Sequence, residues 1–476
     1  MSDFQLSKQV DPNKIFLTKF SELEGRFDPT MSLYQKTIQN LKYTSQSLGS
    51  ILKCNPQYGA NESGVERKSK YEVRYIRITD IDNNGLLKNN KLGKTANTIE
   101  KQYLLNYNDL LLARSGSVGR AYLHKETNKN NIFAGYLIRF VIDSKKVNPD
   151  YIFNYMQLRF YKEWVNAIQR TVAQPNINAE EYKNLKIPIP PKNIQAEIVA
   201  KMNTAYQNKQ SKEAEAQELL NSIDTYLLAG LEIDLPAPTD SSLTARIFTK
   251  KLSEIADGRF DAEYYQSKYI DFEKSLIEKG GYVFFKELLQ MLESGSRPTG
   301  GVGNIVSGIL SFGGSHVSSD GYIDTSKAKY IPIEYHQKHL ITTTKINDLL
   351  LVKDGATTGK IAIIHEKKHE NQNINEHVFL IRLKDNVNPI YLLSYLKSSF
   401  GNMQIKREIT GATVTGLTKD VVNTLKIPLP PLEKQNQIAE RISRIRQQAK
   451  QLQAEAKAEL EQAKQVVENM ILRSDE

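Results

Sequence analysis

The most regular pattern of apolar positions lies near the end of the chain. Between Ile438 and Met470, ten positions follow alternating steps of four and three residues, and nine of them are apolar. This spacing is typical of a helix whose apolar seam packs against another helix. The same register, moved back by 240 residues, begins at Ile198 and is interrupted by two lysines. The pattern predicts two long helices that pair with each other through seam residues including Ile198, Met202, Leu219, Ile223, Ile438, Ile442, Ile445, Leu452 and Val466.

The remainder of the chain mixes short strand-like runs with turns and a few helices. Runs rich in β-branched and aromatic residues occupy 75–78, 136–141 and 378–383, and glycine and asparagine separate such runs. Proline pairs at 190–191 and 430–431 stand directly before the helical stretches, where a helix can begin but not extend backwards. We therefore expect an α+β fold.

Several short motifs occur twice, in the same order, about 240 residues apart. The repeated pairs are Gly25–Asp28 with Gly258–Asp261, Asn108–Leu112 with Asn347–Leu351, Asn148-Pro149 with Asn388-Pro389, and Leu185–Pro191 with Leu425–Pro431. A period this long is typical of two copies of a large unit and not of a solenoid. The repeat predicts a pseudo-two-fold chain of four parts: a module at 1–191, a helix at 192–235, a module at 236–431 and a helix at 432–476.

Composition narrows the class of protein. A chain of 476 residues with 40% hydrophobic residues can build several folded cores. The single cysteine, Cys54, excludes a disulfide framework and a cysteine-rich zinc site. Neither a secretory leader pattern nor a membrane-spanning apolar run is apparent, so we expect a cytoplasmic protein without a membrane partner.

The net charge of +10 is unevenly distributed. Residues 1–191 carry +10 and residues 236–431 carry +3, whereas the helical stretches carry −3 and 0. The basic excess therefore lies in the globular modules. Such a distribution favours modules that contact the phosphates of a nucleic acid over a basic helix that grips it.

Patterns associated with catalysis are few. His365, Glu366 and His369 match the spacing of a zinc protease. Strand-like runs on both sides instead predict a solvated hairpin tip, where the two histidines would not share a helix face; a zinc-dependent hydrolase remains an alternative. Asn55–Tyr58 resembles an amino-methyltransferase motif but lacks a preceding glycine-rich loop, so a turn is favoured. We expect a chain that binds without catalysing and that holds no cofactor or metal.

Two pairs of loops are candidates for contact with DNA. The first pair combines glycine, hydroxyl and basic residues, which suit phosphate, although a hairpin turn would need the same glycines. The second pair lies before each repeated proline boundary and contains residues that can read bases or form turns. The candidates, with one arginine from a strand-like run, are Arg77, Arg114, Ser115, Gly116, Ser117, Gly119, Arg120, Gln174, Asn176, Lys353, Gly355, Thr357, Thr358, Gly359, Lys360, Thr413 and Thr415.

Taken together, the doubled proline boundary, the Arg114–Gly119 segment and the order module–helix–module–helix resemble the DNA-specificity subunits of type I restriction-modification systems. The second copy departs from that pattern at Lys353–Gly359 and at Val414–Thr418. The resemblance implies two target-recognition domains that each read half of a bipartite site in double-stranded DNA, and antiparallel spacer helices.

That resemblance also implies partner subunits in a prokaryotic cytoplasm. Two adenine-methyltransferase (modification) subunits would hold S-adenosylmethionine, and restriction subunits, which are nuclease–translocases, would use ATP and Mg²⁺. Besides the specificity subunit and the zinc-dependent hydrolase, a third possibility is a coiled-coil adaptor that binds proteins and not DNA.

Overall fold

A computed structural model describes residues 17, 28–88, 92–128, 130–169, 175–233, 247–255, 260–278, 281–302, 305–409 and 416–473. The chain divides into two compact units. Unit 1 comprises Met1–Lys212 and Ala454–Glu476, and unit 2 comprises Glu213–Gln453. Each long helix contributes one half to each unit.

Unit 1 combines helices with short strands. Its helices are α1 (Pro29–Gln39), α2 (Pro149–Tyr155), α3 (Arg159–Ile168), α4 (Ala179–Lys183), the first half of α5 (Lys192–Leu231) and the second half of α12 (Leu432–Ile471). Its strands are β1 (Ser45–Ser47), β2 (Gln57–Tyr58), β3 (Gly64–Glu66), β4 (Arg74–Ile76), β5 (Lys94–Ala96), β6 (Asp109–Ala113), β7 (Ala121–Leu123), β8 (Asn131–Phe133), β9 (Leu137–Val141) and β10 (Lys186–Pro188). The largest sheet has the order β2-β9-β6-β7, and β1-β10, β3-β5 and β4-β8 form separate pairs.

Unit 2 repeats this plan. Its helices are the second half of α5, α6 (Ser267–Glu278), α7 (Phe285–Leu288), α8 (Ile333–Lys338), α9 (Pro389–Lys397), α10 (Ser399–Glu408), α11 (Lys419–Asn423) and the first half of α12 (Leu432–Ile471). Its strands are β11 (Val283–Phe284), β12 (Leu289–Ser294), β13 (Ile309–Phe312), β14 (Tyr330–Ile331), β15 (Leu349–Val352), β16 (Ile361–Ile363), β17 (Asn373–Ile374), β18 (Val378–Leu383) and β19 (Lys426–Ile427). The four-stranded sheet has the order β12-β18-β15-β16, beside β14-β13-β17 and β11-β19.

The repeated Asn-Asp-Leu-Leu-Leu motif starts an inner strand of each four-stranded sheet, β6 in unit 1 and β15 in unit 2. All five residues of β6 and all four of β15 are buried. Asn108 and Asn347 precede them with φ of 70° and 74°, a left-handed conformation that asparagine tolerates better than most residues. The sequence motif therefore encodes a turn into a fully buried strand.

The repeated proline boundary joins each module to the helix that follows it. Gln195 and Gln435 are each 1% exposed. In unit 1, the Asn148 N–H donates to Gln195 Oε1 at 2.9 Å, and Gln195 Nε2 donates to the Pro190 carbonyl at 2.8 Å. Gln435 bonds to Asn388 and Pro430 in the same way, at 2.9 Å for each. One buried amide thus fixes the first turn of each long helix to its module.

Within each unit, the two long helices share a buried core. In unit 1, Ile198 and Met202 of α5 belong to one cluster with Leu460 and Ile471 of α12. In unit 2, the cluster contains Ile223 of α5 and residues 438, 442 and 445 of α12. Most predicted seam residues are buried, and Leu219 and Leu452 are half-buried.

The predicted seam is wrong at Val466, which is 42% exposed, whereas the neighbouring Val467 is completely buried. A straight helix with 3.6 residues per turn drifts away from a strict seven-residue repeat. The last turns of α12 also pack into the core of the first module through Val467 and Ile471. The buried face therefore follows the module near this end of the helix.

Candidate nucleic-acid interface

The first predicted loop, residues 114–120, is the turn of the β6–β7 hairpin. Gly116 and Gly119 have φ of 72° and 82°. The Gly119 N–H donates to the Ala113 carbonyl at 3.0 Å, which closes the loop. A Cβ atom at Gly119 would lie 2.6 Å from Cγ2 of Val165 in α3. These glycines are required for the turn, as the structural interpretation of the motif predicted.

Two of the predicted DNA-contacting arginines are held by the protein itself. Arg120 donates through Nη1 to the Ile81 carbonyl at 2.8 Å and through Nη2 to Asn83 Oδ1 at 2.9 Å. Arg77 forms a bidentate pair with Asp80, at 3.1 and 3.0 Å. That pairing raises the pKa of the Arg77 guanidinium. Both guanidiniums therefore form hydrogen bonds within the turn of residues 77–83, next to the loop.

Arg114 lies where the two predicted loops of the first module meet. Its Cζ is 4.9 Å from the centre of the Tyr58 ring, and its Nε lies 3.5 Å from Asn176 Oδ1. The Ile177 N–H donates to the Arg114 carbonyl at 2.9 Å, and Ser115 forms a β-bridge with Asn176. The loop pair thus forms one site around a guanidinium stacked on an aromatic ring.

Two tyrosines at this site were missed by the sequence analysis. Tyr136 is 65% exposed, and its carbonyl accepts from the Arg114 N–H at 2.9 Å. Tyr58 is 39% exposed and lies in β2, although the pattern around it predicts only a turn. The sequence signal, an aromatic residue in or near a strand, is the same for buried and exposed positions. Only the long-range strand pairing distinguishes them.

Unit 2 builds the same junction with different chemistry. The Lys353 N–H donates to the His377 carbonyl at 3.0 Å, and Asp354 forms a β-bridge with Gly416. Asp354 also pairs with the His377 ring, whose Nε2 lies 3.2 Å from Glu376 Oε1. Acidic and titratable groups therefore occupy places where unit 1 has a serine and a tyrosine.

The other predicted residues of this loop form its turn. Gly355 and Gly359 have φ of 93° and 87°, and the Gly359 N–H donates to the Val352 carbonyl at 2.8 Å. Thr358 Oγ1 donates to the Gly355 carbonyl at 2.6 Å. In this loop Thr357 is partly exposed and Lys360 is exposed. In the loop of unit 1, Ser117 is partly exposed and Gly116 is exposed. Gln174, Thr413 and Thr415 lie outside the described residues.

The zinc-protease spacing does not form a metal site in the described part of the chain. Only residues 367–369 form a short 3-10 helix. The His365 ring packs against Tyr322, with 4.5 Å between centroids, whereas His369 is 1% exposed. Burial lowers the pKa of His369 and favours its neutral form. Among described residues, no group of three or more His, Cys, Asp or Glu side chains could hold a metal ion.

The predicted hairpin around these histidines is wrong. Strands β16 and β18 both pair with β15, not with each other. The intervening segment contains β17, which pairs in parallel with β13. His369 is consequently buried instead of lying in a solvated loop. No helix within the described ranges is long and apolar enough to cross a membrane.

Comparison with known proteins places the repeat in a family. The model of the type I restriction modification DNA specificity domain matches residues 41–221 and again 262–462. The chain is 23% identical over 387 residues to the type I restriction enzyme MjaVIII specificity subunit of Methanocaldococcus jannaschii, covering 78% of this chain and 80% of that protein. The putative MjaX specificity subunit of the same organism is 26% identical over 378 residues, covering 78% and 72%.

A solved structure has the same fold. It comes from work on complex assembly and conformational transition of the type I R-M system, and it matches with a TM-score of 0.51 and 16% identity. The match covers 91% of this chain and 98% of the solved one. With both halves of the repeat matched by the family model, this chain belongs to the type I restriction-modification DNA specificity family.

Proposed function

We propose that each module reads one half of a bipartite DNA target and that the two long helices set the distance between the half-sites. The observation that carries this proposal is the doubled junction of two loops, around Arg114 in unit 1 and Lys353 in unit 2. Membership of a DNA-specificity family supports DNA as the ligand. The two junctions differ in side chains, as two modules that read different sequences would require.

In the first module, Arg114 is the central DNA contact. Its planar guanidinium can donate two hydrogen bonds to guanine or to a phosphate. The Tyr58 ring centre lies 4.9 Å from that guanidinium, Asn176 Oδ1 lies 3.5 Å from its Nε, and the carbonyl of exposed Tyr136 accepts from the Arg114 backbone N–H. Asparagine can read an adenine edge, and tyrosine can contact sugar, phosphate or an unstacked base. In the second module, Lys353 takes the place of the arginine.

The long helices form an antiparallel coiled coil in this proposal. The start of α5 shares a core with the end of α12 in unit 1, and the reverse holds in unit 2. Lys212, which interrupts the predicted seam, donates to Glu455 at 2.8 Å and to Glu459 at 2.6 Å. Glu459 is the one polar position in the seam of α12. Lys212 of one seam thus pairs with Glu459 of the other, which favours one register.

The chain acts as a recognition subunit, and the chemistry belongs to its partners. Two adenine-methyltransferase subunits dock on it and supply S-adenosylmethionine, and restriction subunits use ATP and Mg²⁺. A zinc-dependent hydrolase is not supported by the positions of His365 and His369.

The proposal is tested by co-purifying the chain with its cognate methyltransferase subunits and mapping adenine methylation. We expect methylation confined to one bipartite sequence. Methylation without target preference, or a complex that forms without this chain, would overturn the proposal. DNA affinity that is absent even at low salt, with and without partners, would instead indicate a protein-only adaptor.

Arg114→Ala tests the site within that complex. Loss of a bidentate base contact should weaken binding of the correct target by about 1–3 kcal/mol and relax one base position. If the contact is to phosphate, affinity should fall for all sequences, and the salt dependence should decrease by about one unit of slope. Lys145→Ala, an exposed residue of the same unit, is the control. Unchanged affinity, specificity and salt dependence in Arg114→Ala would exclude this residue.

A further inference from the structure

The first N–H group of helix α3 is hydrogen-bonded to a carboxylate of the long helix α12. The residue before α3, Leu158, has an apolar side chain that cannot accept a hydrogen bond from the N–H groups of the first turn. Instead, the Arg159 N–H donates to Glu468 Oε1 of α12 at 2.6 Å. Glu468 is only 5% exposed. A carboxylate in this place satisfies a free N–H of the first helical turn and interacts favourably with the positive end of the helix dipole.

Unit 2 contains the same arrangement with the roles of the long helices exchanged. The Ser399 N–H, at the first residue of α10, donates to Asp224 Oδ2 of α5 at 3.0 Å. Ser399 lies 240 residues after Arg159, the period of the repeat. Helix α10 also has a local cap, since Ser398 Oγ accepts from the Gly401 N–H at 3.2 Å. The long-helix carboxylate is therefore a repeated feature and not an isolated contact.

The capped helices contact the β6–β7 hairpin of unit 1 and the β15–β16 hairpin of unit 2, called the recognition hairpins below. In unit 1, the Tyr161 hydroxyl of α3 donates to the Gly119 carbonyl at 2.8 Å, and Val165 fills the space beside Gly119. In unit 2, Ile405 of α10 lies against Gly359, where a Cβ would be 3.0 Å from its Cγ2. A short path of direct contacts thus leads from a long helix, through α3 or α10, to the loop that carries Arg114 or Lys353.

We propose that Glu468 and Asp224 are positioning residues that set the place of each recognition hairpin relative to the long helices. This inference rests on the proposed function, because the hairpin is taken as the DNA contact. Each carboxylate acts within its own unit. Loss of Glu468 should therefore affect only the half-site that module 1 reads, and loss of Asp224 only the other.

The test uses the full chain in complex with its methyltransferase subunits. Methylation rates are measured on the correct target and on targets with one mismatch in either half-site. Arg114→Ala and Lys353→Ala first identify which half-site each module reads. Glu468→Ala should then lower discrimination by roughly fivefold in the Arg114 half-site alone, the size expected for a lost helix cap. Asp224→Ala should show the same pattern in the other half-site, with a smaller change because Ser398 remains.

Conservative and control variants separate positioning from general destabilisation. Glu468→Gln keeps an oxygen acceptor and should retain most of the discrimination that Glu468→Ala loses. If Glu468→Ala does not fold, Asp224→Ala, in which the Ser398 cap remains, tests the inference in the other half-site. Glu461→Ala removes a carboxylate of α12 that pairs with Lys464 and should change neither half-site. Equal loss in both half-sites, or no loss of discrimination in the alanine variants, would overturn the inference.

Hydrogen exchange distinguishes failure of this inference from failure of the proposed function. In Glu468→Ala, the amides of the first turn of α3 and of residues 114–120 should exchange faster, while α10 should be unchanged. If wild-type complex shows no target preference, the proposed function fails, but this exchange pattern still tests the mechanical link. Unchanged exchange at both α3 and the hairpin would refute the link itself.

Discussion

Two glycines of the β6–β7 hairpin should respond very differently to the same substitution. Gly116 and Gly119 both have positive φ, so alanine at either position costs about 1–2 kcal/mol of backbone strain. At Gly116 the added Cβ would meet only Ile78 Cδ1, at 3.9 Å, which is ordinary contact. At Gly119 it would lie 2.6 and 2.8 Å from the two methyl carbons of Val165. Such overpacking adds about 1–3 kcal/mol.

The tryptophan of the chain makes this difference measurable. Trp164 is the only one in the sequence, and it lies in α3 beside Val165. It is 4% exposed and stacks on Tyr161 at 5.9 Å. Its fluorescence during urea unfolding therefore reports on unit 1. We expect Gly119→Ala to lower the free energy of unfolding by about 1–3 kcal/mol more than Gly116→Ala, with unchanged m-values.

A double variant identifies the cause. Val165→Ala removes the methyl groups that the new Cβ would strike, so Gly119→Ala should be less destabilising in that background than in the wild type. Strict additivity of the two changes, or equal unfolding midpoints for Gly116→Ala and Gly119→Ala, would refute the packing argument. Unit 2 offers a replicate, followed by circular dichroism because Trp164 lies in unit 1: a Cβ at Gly355 meets nothing within 4 Å, whereas one at Gly359 meets Ile405.

Two further predictions concern the stability of unit 1. Gln195→Ala leaves the Asn148 N–H and the Pro190 carbonyl without their partner, so the free energy of unfolding, followed by Trp164 fluorescence, should fall by about 2–4 kcal/mol. The control, exposed Glu197→Ala, should change it very little. An equal effect of both variants would contradict the role of the buried amide. Burial lowers the pKa of His124 below its ordinary value of 6.5, so the unfolded chain binds a proton first. The contribution of neutral His124 to the free energy of unfolding should be fully present above pH 6.5 and lost as the pH falls below that value. His124→Gln should make the urea midpoint of unfolding depend less on pH in this range. An unchanged pH dependence in that variant would exclude His124 as its cause.

The scaffold could be predicted from local sequence, and the candidate site only in part. The Asn-Asp-Leu-Leu-Leu runs are strands, and the glycine-containing segments after them are hairpin turns, because both depend on neighbouring residues. The contact between Arg114 and Tyr58 depends instead on β2 pairing with β9, which joins distant parts of the chain. Val466 was misplaced because packing on the module overrides the helical repeat near the end of α12.

Comparison of the two copies separates residues that stabilise the fold from residues of the proposed DNA-contact junction. Where a side chain forms hydrogen bonds to backbone groups at the module boundary, the two copies have the same residue. Gln195 matches Gln435, and the Tyr151 and Tyr391 hydroxyls both donate at 2.6 Å to a proline carbonyl of the boundary. At the hairpin junction they differ, since Arg114 gives way to Lys353.

The same junction contributes to the charge difference between the modules. Residues 1–191 carry +10 and residues 236–431 carry +3. In unit 2, Asp354 and Glu376 lie around the His377 ring, whereas unit 1 presents Tyr136 at the corresponding place. In the proposed function, the carboxylates of this junction would weaken its attraction to phosphate and favour contact with hydrogen-bond donors such as the cytosine amino group. The two modules would therefore share one scaffold while they select different bases and draw unequal shares of affinity from the DNA backbone.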